Sequence, residues 1–327
     1  MIKKERNYTF DNLRGLLIWC IPISHFIRVG GDFSQSSLSG IVYITINVFV
    51  MEAFVFLSGY FSKKPDRARE TSYKTFLLPY LIWSLVFFGF RYAYLGNAHL
   101  NFLHPPFALW FLWSLFFYRF FLKDLIKIKY ILPITLILYL LAGQIYIFNV
   151  FMALGRTISY LPFFMLGYYC NADHIQQIQN LKKYQTGLLG LFMTLASVVL
   201  AFWVKVPVRF YLLKVPASEL GISWYSDIIC RAAIILLAFG WIIFLLNILK
   251  NKKNYLTHVG ITTMPIYIFH LFIRYFIEQN GFPNPNPVVY YSCIFGLATI
   301  CVLVFSSKPF VIAYDKLMDF FYRILPL

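Results

Sequence analysis

No stretch of this 327-residue chain is polar for long enough to form a water-soluble domain of its own. Apolar runs follow one another instead, at about 12–29, 41–61, 75–95, 109–122, 130–148, 157–171, 186–204, 226–249, 260–277 and 289–307. A helix needs roughly 20 mainly apolar residues to cross the hydrocarbon of a bilayer. Most of the ten runs meet that length. The short ones, 109–122 and 157–171, must tilt less, extend into their flanks or re-enter. Irregular backbone and open sheet edges find no hydrogen-bond partners in lipid, and no run alternates with the two-residue period of a barrel strand. The pattern predicts an all-α, polytopic helical bundle of about ten transmembrane helices, built as one domain over 1–327. The charged fraction of 13% agrees, since soluble domains carry about a quarter. A disordered chain is excluded, and so is a soluble enzyme on a single anchor.

Net charge is +16, yet the cations are dispersed in short loops, which fits orientation signals and lipid headgroups rather than nucleic acid. With the N-terminus in the cytoplasm, 19 of the 29 Lys and Arg fall on cytoplasmic segments. Five (Arg28, Arg156, Lys205, Arg209, Lys214) fall on the opposite side. That asymmetry places both termini in the cytoplasm and favours an even number of spans. The expected location is a cell membrane, the bacterial cytoplasmic membrane, crossed many times. The first apolar run follows a basic tail without a small-residue cleavage site and is expected to be retained. Five cysteines lie in apolar runs without CxxC spacing, and no HExxH or Cys/His spacing occurs, so no metal is expected. Walker, GxGxxG and GxSxG motifs are also missing.

Ionisable groups at bilayer depth cost on the order of 3 kcal/mol each on insertion scales, so each needs a reason. Arg14 and His25 are eleven residues apart. Eleven steps of about 100° amount to three turns plus about 20°, which puts both on one face, about 16 Å apart along the axis. A cation at the mouth and a titratable imidazole deeper on the same stripe outline a substrate path. The alternative is an imidazole simply bonded to a neighbouring carbonyl. Glu52 and Asn47, in the second run, lie at depths that allow either to meet His25, as in a carboxylate–imidazole base. Glu52 has the alternative of pairing with a membrane arginine. His270 sits mid-span with Arg274 on the same face. Prolines 22, 79, 133, 162 and 265 fall inside runs, where bends free carbonyls or merely kink the packing. The basic run SKKPDRARETSYK (62–74) is an orientation signal or a phosphate-holding loop.

DNLRGLLIWCIPISH (11–25), with Arg, ten residues, then His, resembles the first-helix signature of membrane acyltransferase family 3. EAFVFLSGYF (52–61), LLPYLIWS (77–84), LWFL (109–112), GRTISYLPFFMLGYY (155–169) and MPIYIFH (264–270) follow in the family's order. The resemblance covers nearly the whole chain and is closest to the fucose 4-O-acetylase-like branch of polysaccharide O-acetyltransferases. It implies transfer of an acyl group, usually acetyl from acetyl-CoA, to a hydroxyl of a carbohydrate or similar surface molecule. It makes His25 the essential histidine and Arg14 its partner. Many members have Asp, or Pro in the fucose-type branch, at Glu52. Many have Arg-x-x-Arg where this chain has Arg67-Ala-Arg69.

The combined expectation is an O-acetyltransferase whose catalytic set is His25, Arg14 and Glu52. Acyl-CoA, a donor substrate rather than a tightly bound cofactor, approaches from the cytoplasm. Its phosphates are expected on Arg14, Arg67, Arg69, Lys63, Lys64 and Lys74. Asn47, Ser58, Trp110, Arg156 and His270 are candidate contacts for a carbohydrate or glycolipid acceptor. Ser58 has the alternative role of close helix packing. The expected partners are membrane lipids, acyl-CoA and the acceptor, with no nucleic acid. The competing class is a proton-coupled transporter or flippase, which buried Arg, His and Glu also suit. Against it stands the lack of an internal repeat or of paired broken helices.

Overall fold

The computed structural model describes residues 6–30, 33–96, 98–145, 151–204, 206–282 and 286–324, and no strand occurs among them. In chain order the α-helices are α1 (Tyr8–Val29), α2 (Leu38–Tyr60), α3 (Pro65–Ser72), α4 (Leu78–Leu95), α5 (Trp110–Leu125), α6 (Ile131–Leu141) and α7 (Leu154–Tyr169). Then come α8 (Ala172–Gln179), α9 (Lys183–Phe202), α10 (Trp224–Ile248), α11 (Tyr255–Ile261), α12 (Thr263–Asn280), α13 (Pro287–Phe305) and α14 (Lys308–Ile324). Each of the ten apolar runs holds a helix. The run 130–148 ends in residues outside the described set.

Among the described residues, five segments are long and apolar enough to cross a membrane: α2, α9, α10, α13 and the continuous stretch Pro65–Leu95. That stretch joins α3 to α4 through one π-helical turn, Tyr73–Leu77, so most of the basic run 62–74 and the apolar run 75–95 form one rod rather than loop and helix. The pair α11 and α12 adds a sixth crossing if counted together, bent by 81° at its break. Polar Asn12, Arg14, Ser24, His25 and Arg28 lower the hydropathy of α1, although its 22 residues would reach across about 33 Å. The exposed side chains of α9 are apolar, among them Leu188, Leu191, Phe192, Leu195 and Val199. Such a face suits lipid rather than water. The chain is a multi-pass helical membrane protein.

The five prolines divide into two kinds. Pro22 and Pro162 are interior to α1 and α7, where each lacks the N–H that would bond the carbonyl four residues back. Pro133 and Pro265 stand in the first turns of α6 and α12, where that donor is not needed and they start helices rather than bend them. Pro79 lies inside the continuous stretch Pro65–Leu95, two residues after its π-helical turn.

Two compact units are formed. The first comprises 1–54, 172–205 and 235–317, and the second 55–171, 206–234 and 318–327. In the first, α1 packs chiefly on α11, and also on α12 and α13. Gly15 and Gly260 make the α1–α11 approach possible. A Cβ on Gly15 would overlap the Leu256 carbonyl, and one on Gly260 the Asp11 carbonyl. Buried Asn12 ties the same crossing polar-side, donating to Lys250 O and Lys252 O and accepting from Thr257 Oγ1 at 2.6 Å. The second unit pairs α6 with α7 and α3 with α5. Gly59 and Gly167 repeat the device there, each facing the other helix's backbone.

Candidate active site

Within the first unit, α1 presents its polar residues at two levels. Near its start, Arg14 donates to Asp11 Oδ1 at 2.7 Å, and Arg6 donates to Asp11 Oδ2 at 2.8 Å. Asp11 is 2% exposed, whereas Arg14 keeps 34% of its side chain open. A buried carboxylate on the preceding turn thus neutralises and orients a guanidinium that still reaches solvent. Sequence reasoning missed Asp11, which stands just before the first apolar run; its i, i+3 spacing from Arg14 was the available signal.

Deeper in α1, half-buried His25 meets His270 of α12, with Nδ1 and Nε2 at 2.9 Å. The ring centroids are 5.0 Å apart and the planes differ by 26°, as an end-to-end N–H···N bond between nearly coplanar rings requires. His270 is fully buried, and its Nδ1 lies 2.8 Å from Ile266 O, one turn back in α12. A carbonyl oxygen only accepts, so His270 Nδ1 carries a proton. On the side of α2, Asn47 donates from Nδ2 to Ser24 Oγ at 2.9 Å and to Tyr43 O at 2.8 Å. It therefore fixes the residue beside His25, and no bond joins Asn47 or Glu52 to the imidazole. Glu52 is 1% exposed, and its Oε2 has no hydrogen-bond partner among the described residues. One turn beyond His270, Arg274 makes a two-pronged pair with Glu278 at 2.7 and 2.8 Å.

The other candidates belong to the second unit. Lys63 Nζ donates to the carbonyls of Gly167, Tyr168 and Cys170 at the end of α7. A cation there satisfies the orphan acceptors of a helix C-terminus. Arg69 donates to Phe120 O at 2.7 Å and pairs with Asp124. Lys123 pairs with Asp66. These links seam α3 to α5. Their cations hold the Asp66 and Asp124 carboxyls below the usual carboxylate range, the side-chain hydrogen bonds from Lys123 and Arg69 being the largest causes. Lys64 and Arg67 stay exposed, with no ion pair among the described residues. Lys74 lies 4.7 Å from the Tyr322 ring centroid. Ser58 is half-buried beside Gly59, and its carbonyl accepts from Ser62 Oγ. Arg156 sits 4.6 Å over the ring of Trp110, which stacks on Tyr160. Lys214, in the long loop before α10, is held below the ordinary lysine range by burial and then by the charges of Arg156 and Arg209.

A further buried pair was not foreseen. Asp227 and Arg231 are 0% and 2% exposed and bonded at 2.9 Å. Gln144 Nε2 donates to the same carboxylate at 2.5 Å. Asp227 stands in the first turn of α10, at the edge of its apolar run, and is buried there together with its partners.

The family model described as an acyltransferase domain, of the acyltransferase 3 type, matches residues 7–307. The chain belongs to the acyltransferase 3 family. The match runs from the N-cap of α1 to just past the end of α13, so every candidate residue named above lies inside the acyltransferase domain. No curated protein and no solved structure shows significant similarity to the chain. Membership makes this a membrane-embedded member of a family of acyltransferases.

Proposed function

We propose that the chain is an O-acyltransferase that moves an acyl group, acetyl above all, from acyl-CoA to a hydroxyl of a cell-envelope carbohydrate or related acceptor. The observation that carries the reading is the placement of His25 inside the matched acyltransferase domain, half-buried on α1 and hydrogen-bonded to another imidazole. In this reading His25 takes the proton of the acceptor hydroxyl while its oxygen attacks the thioester carbonyl. The C–O bond forms, the C–S bond breaks, and the proton passes on to the departing thiolate of the coenzyme. Arg14, held by Asp11 yet open to solvent, contributes to coenzyme binding. Lys64, Arg67 and Lys74 supply exposed cations for phosphate, and Lys63 and Arg69 contribute less because they already serve α7 and α5. Glu52 completes the catalytic set. Asn47, Ser58, Trp110 and Arg156 belong to the acceptor side, which fully buried His270 serves only through its bond to His25.

The test is incorporation of labelled acetyl from acetyl-CoA into envelope glycans by membranes holding wild type or His25→Ala. The expected result is incorporation by wild type and none above background by the variant, with equal amounts of inserted protein. Retained incorporation by His25→Ala would remove the general-base assignment.

The same reading has ten spans with both termini in the cytoplasm of a bacterial cell, from the distribution of Lys and Arg. A cysteine introduced at Ser36 is expected to react with an impermeant reagent from outside only. Labelling from the cytoplasmic side alone would overturn that topology.

A further inference from the structure

We infer that His270 is a positioning residue for His25: it fixes the tautomer of the catalytic imidazole and makes Nε2 the nitrogen that accepts the proton. The inference deepens the proposed function and rests on the assignment of His25 as the base.

The argument follows the hydrogens along three atoms. Ile266 O accepts, so His270 Nδ1 is a donor. In neutral His270 the proton on Nδ1 leaves Nε2 with a lone pair. His25 Nδ1, 2.9 Å away, must then carry the proton of that bond. Neutral His25 is left with its lone pair on Nε2. A carbonyl on the helix backbone thereby sets the state of one imidazole, which sets the state of the next. This is the task that a carboxylate performs in a Ser-His-Asp triad. Here a neutral ring does it, so no second charge is added at a depth where charge is expensive. Complete burial of His270 and its anchorage within α12 give the relay a fixed direction. The half-buried ring of His25 is the end of the relay that can meet substrate. Neither Asn47 nor Glu52 takes this part, since His25 Nδ1 is bonded to His270 Nε2, Asn47 is turned to Ser24 and Tyr43, and Glu52 makes no hydrogen bond to the imidazole.

Two substitutions separate positioning from packing. His270→Phe keeps a ring in the cavity but removes the acceptor. His270→Gln places an amide oxygen near the former Nε2 and restores an acceptor for His25 Nδ1–H. Two readouts apply to the full-length protein in lipid vesicles. In the first, ¹⁵N-histidine spectra, assigned by subtracting a His25→Gln sample, report which nitrogen of His25 bears the proton. The expected result is protonation on Nδ1 in wild type and His270→Gln, and loss of that preference in His270→Phe. In the second, acetyl incorporation from acetyl-CoA is measured. The expected kcat falls about 10–100-fold in His270→Phe, the range typical when a group that orients a reactive histidine is removed. KM for acetyl-CoA is unchanged, and His270→Gln recovers most of the loss. Protonation of wild-type His25 on Nε2 would overturn the relay, as would equal kcat values for the Phe and Gln variants. If His25→Ala keeps its activity, the base assignment fails instead, and the spectra still decide whether His270 sets the tautomer.

Discussion

Replacing Gly15 with alanine tests whether the α1–α11 crossing holds α1 in place. A Cβ at Gly15 would lie 2.9 Å from the Leu256 carbonyl carbon and 3.1 Å from its Cα, and closer still to the carbonyl oxygen. Ordinary contact begins at 3.4 Å, so the carbonyl carbon at 2.9 Å alone demands a separation of 0.5 Å, and the nearer oxygen demands more. The obstacle is backbone and cannot rotate aside. Overpacking of this kind costs about 1–3 kcal/mol. The far end of α1 is held independently, by Tyr290 Oη donating to Ile27 O at 3.1 Å and by Phe282 N donating to Gly30 O at 3.3 Å. The displacement therefore becomes a tilt about Ile27. With equal rise per residue, His25 moves by roughly a sixth of the shift at Gly15, on the order of 0.1 Å. Arg14 moves with Gly15. The expected outcome is a lower midpoint of thermal unfolding in detergent, a raised KM for acetyl-CoA and a kcat within about threefold of wild type. Gly89→Ala is the control, because nothing lies within 4 Å of a Cβ there; in mid-α4 it is expected to be neutral or stabilising by up to about 1 kcal/mol. If Gly15→Ala and Gly89→Ala unfold at the same temperature, the close approach does not bear on stability. A collapse of kcat without loss of stability would refute the tilt.

Asp227→Asn or Arg231→Met alone is expected to destabilise by about 3–5 kcal/mol, because each leaves a buried charge or dipole unmatched. The double Asp227→Asn/Arg231→Met variant should lose less than the sum, and thermal unfolding of all three against wild type measures the coupling. Arg67→Ala is expected to raise KM for acetyl-CoA several-fold at low salt, with an effect that shrinks as salt rises. Arg69→Ala should add a loss of thermal stability that Arg67→Ala lacks, because it also breaks the links to Phe120 and Asp124. Equal melting temperatures for these two variants would show that the α3–α5 seam is incidental.

Helix placement was legible because the bilayer leaves a chain few choices. A run of apolar residues must satisfy its own backbone, so ten runs imply helices wherever they occur. Details that depend on neighbouring helices were not legible. The π turn at Tyr73–Leu77 makes a rod of what composition reads as loop and span. The 81° break at Thr262 starts α12 where the apolar run is continuous. Asp227 is buried although it stands at the edge of its run, because Arg231 on the next turn and Gln144 come with it. That pair shows how an i, i+4 spacing of opposite charges marks buried ions as readily as exposed ones.

The same distinction governs the candidate site. Phase along one helix says which residues share a face, and it placed Arg14 and His25 on one stripe of α1. Depth counted along two helices says which residues share a level, and it left Asn47 and Glu52 both eligible to meet His25, with His270 not considered. Neither quantity says which helix stands beside which face. The partner of His25 is decided by packing: α1 lies against both α11 and α12, and His270 of α12 comes within 2.9 Å of it. Asn47 was drawn instead to Ser24, one residue and about 100° away around the helix. Gly15 and Gly260, ten residues from His25 and His270 respectively, therefore set the α1–α11 crossing on which the helix bearing the base is seated. A sequence reading that looks for chemistry only among polar residues passes over them, whereas one that asks which positions tolerate no Cβ would find them.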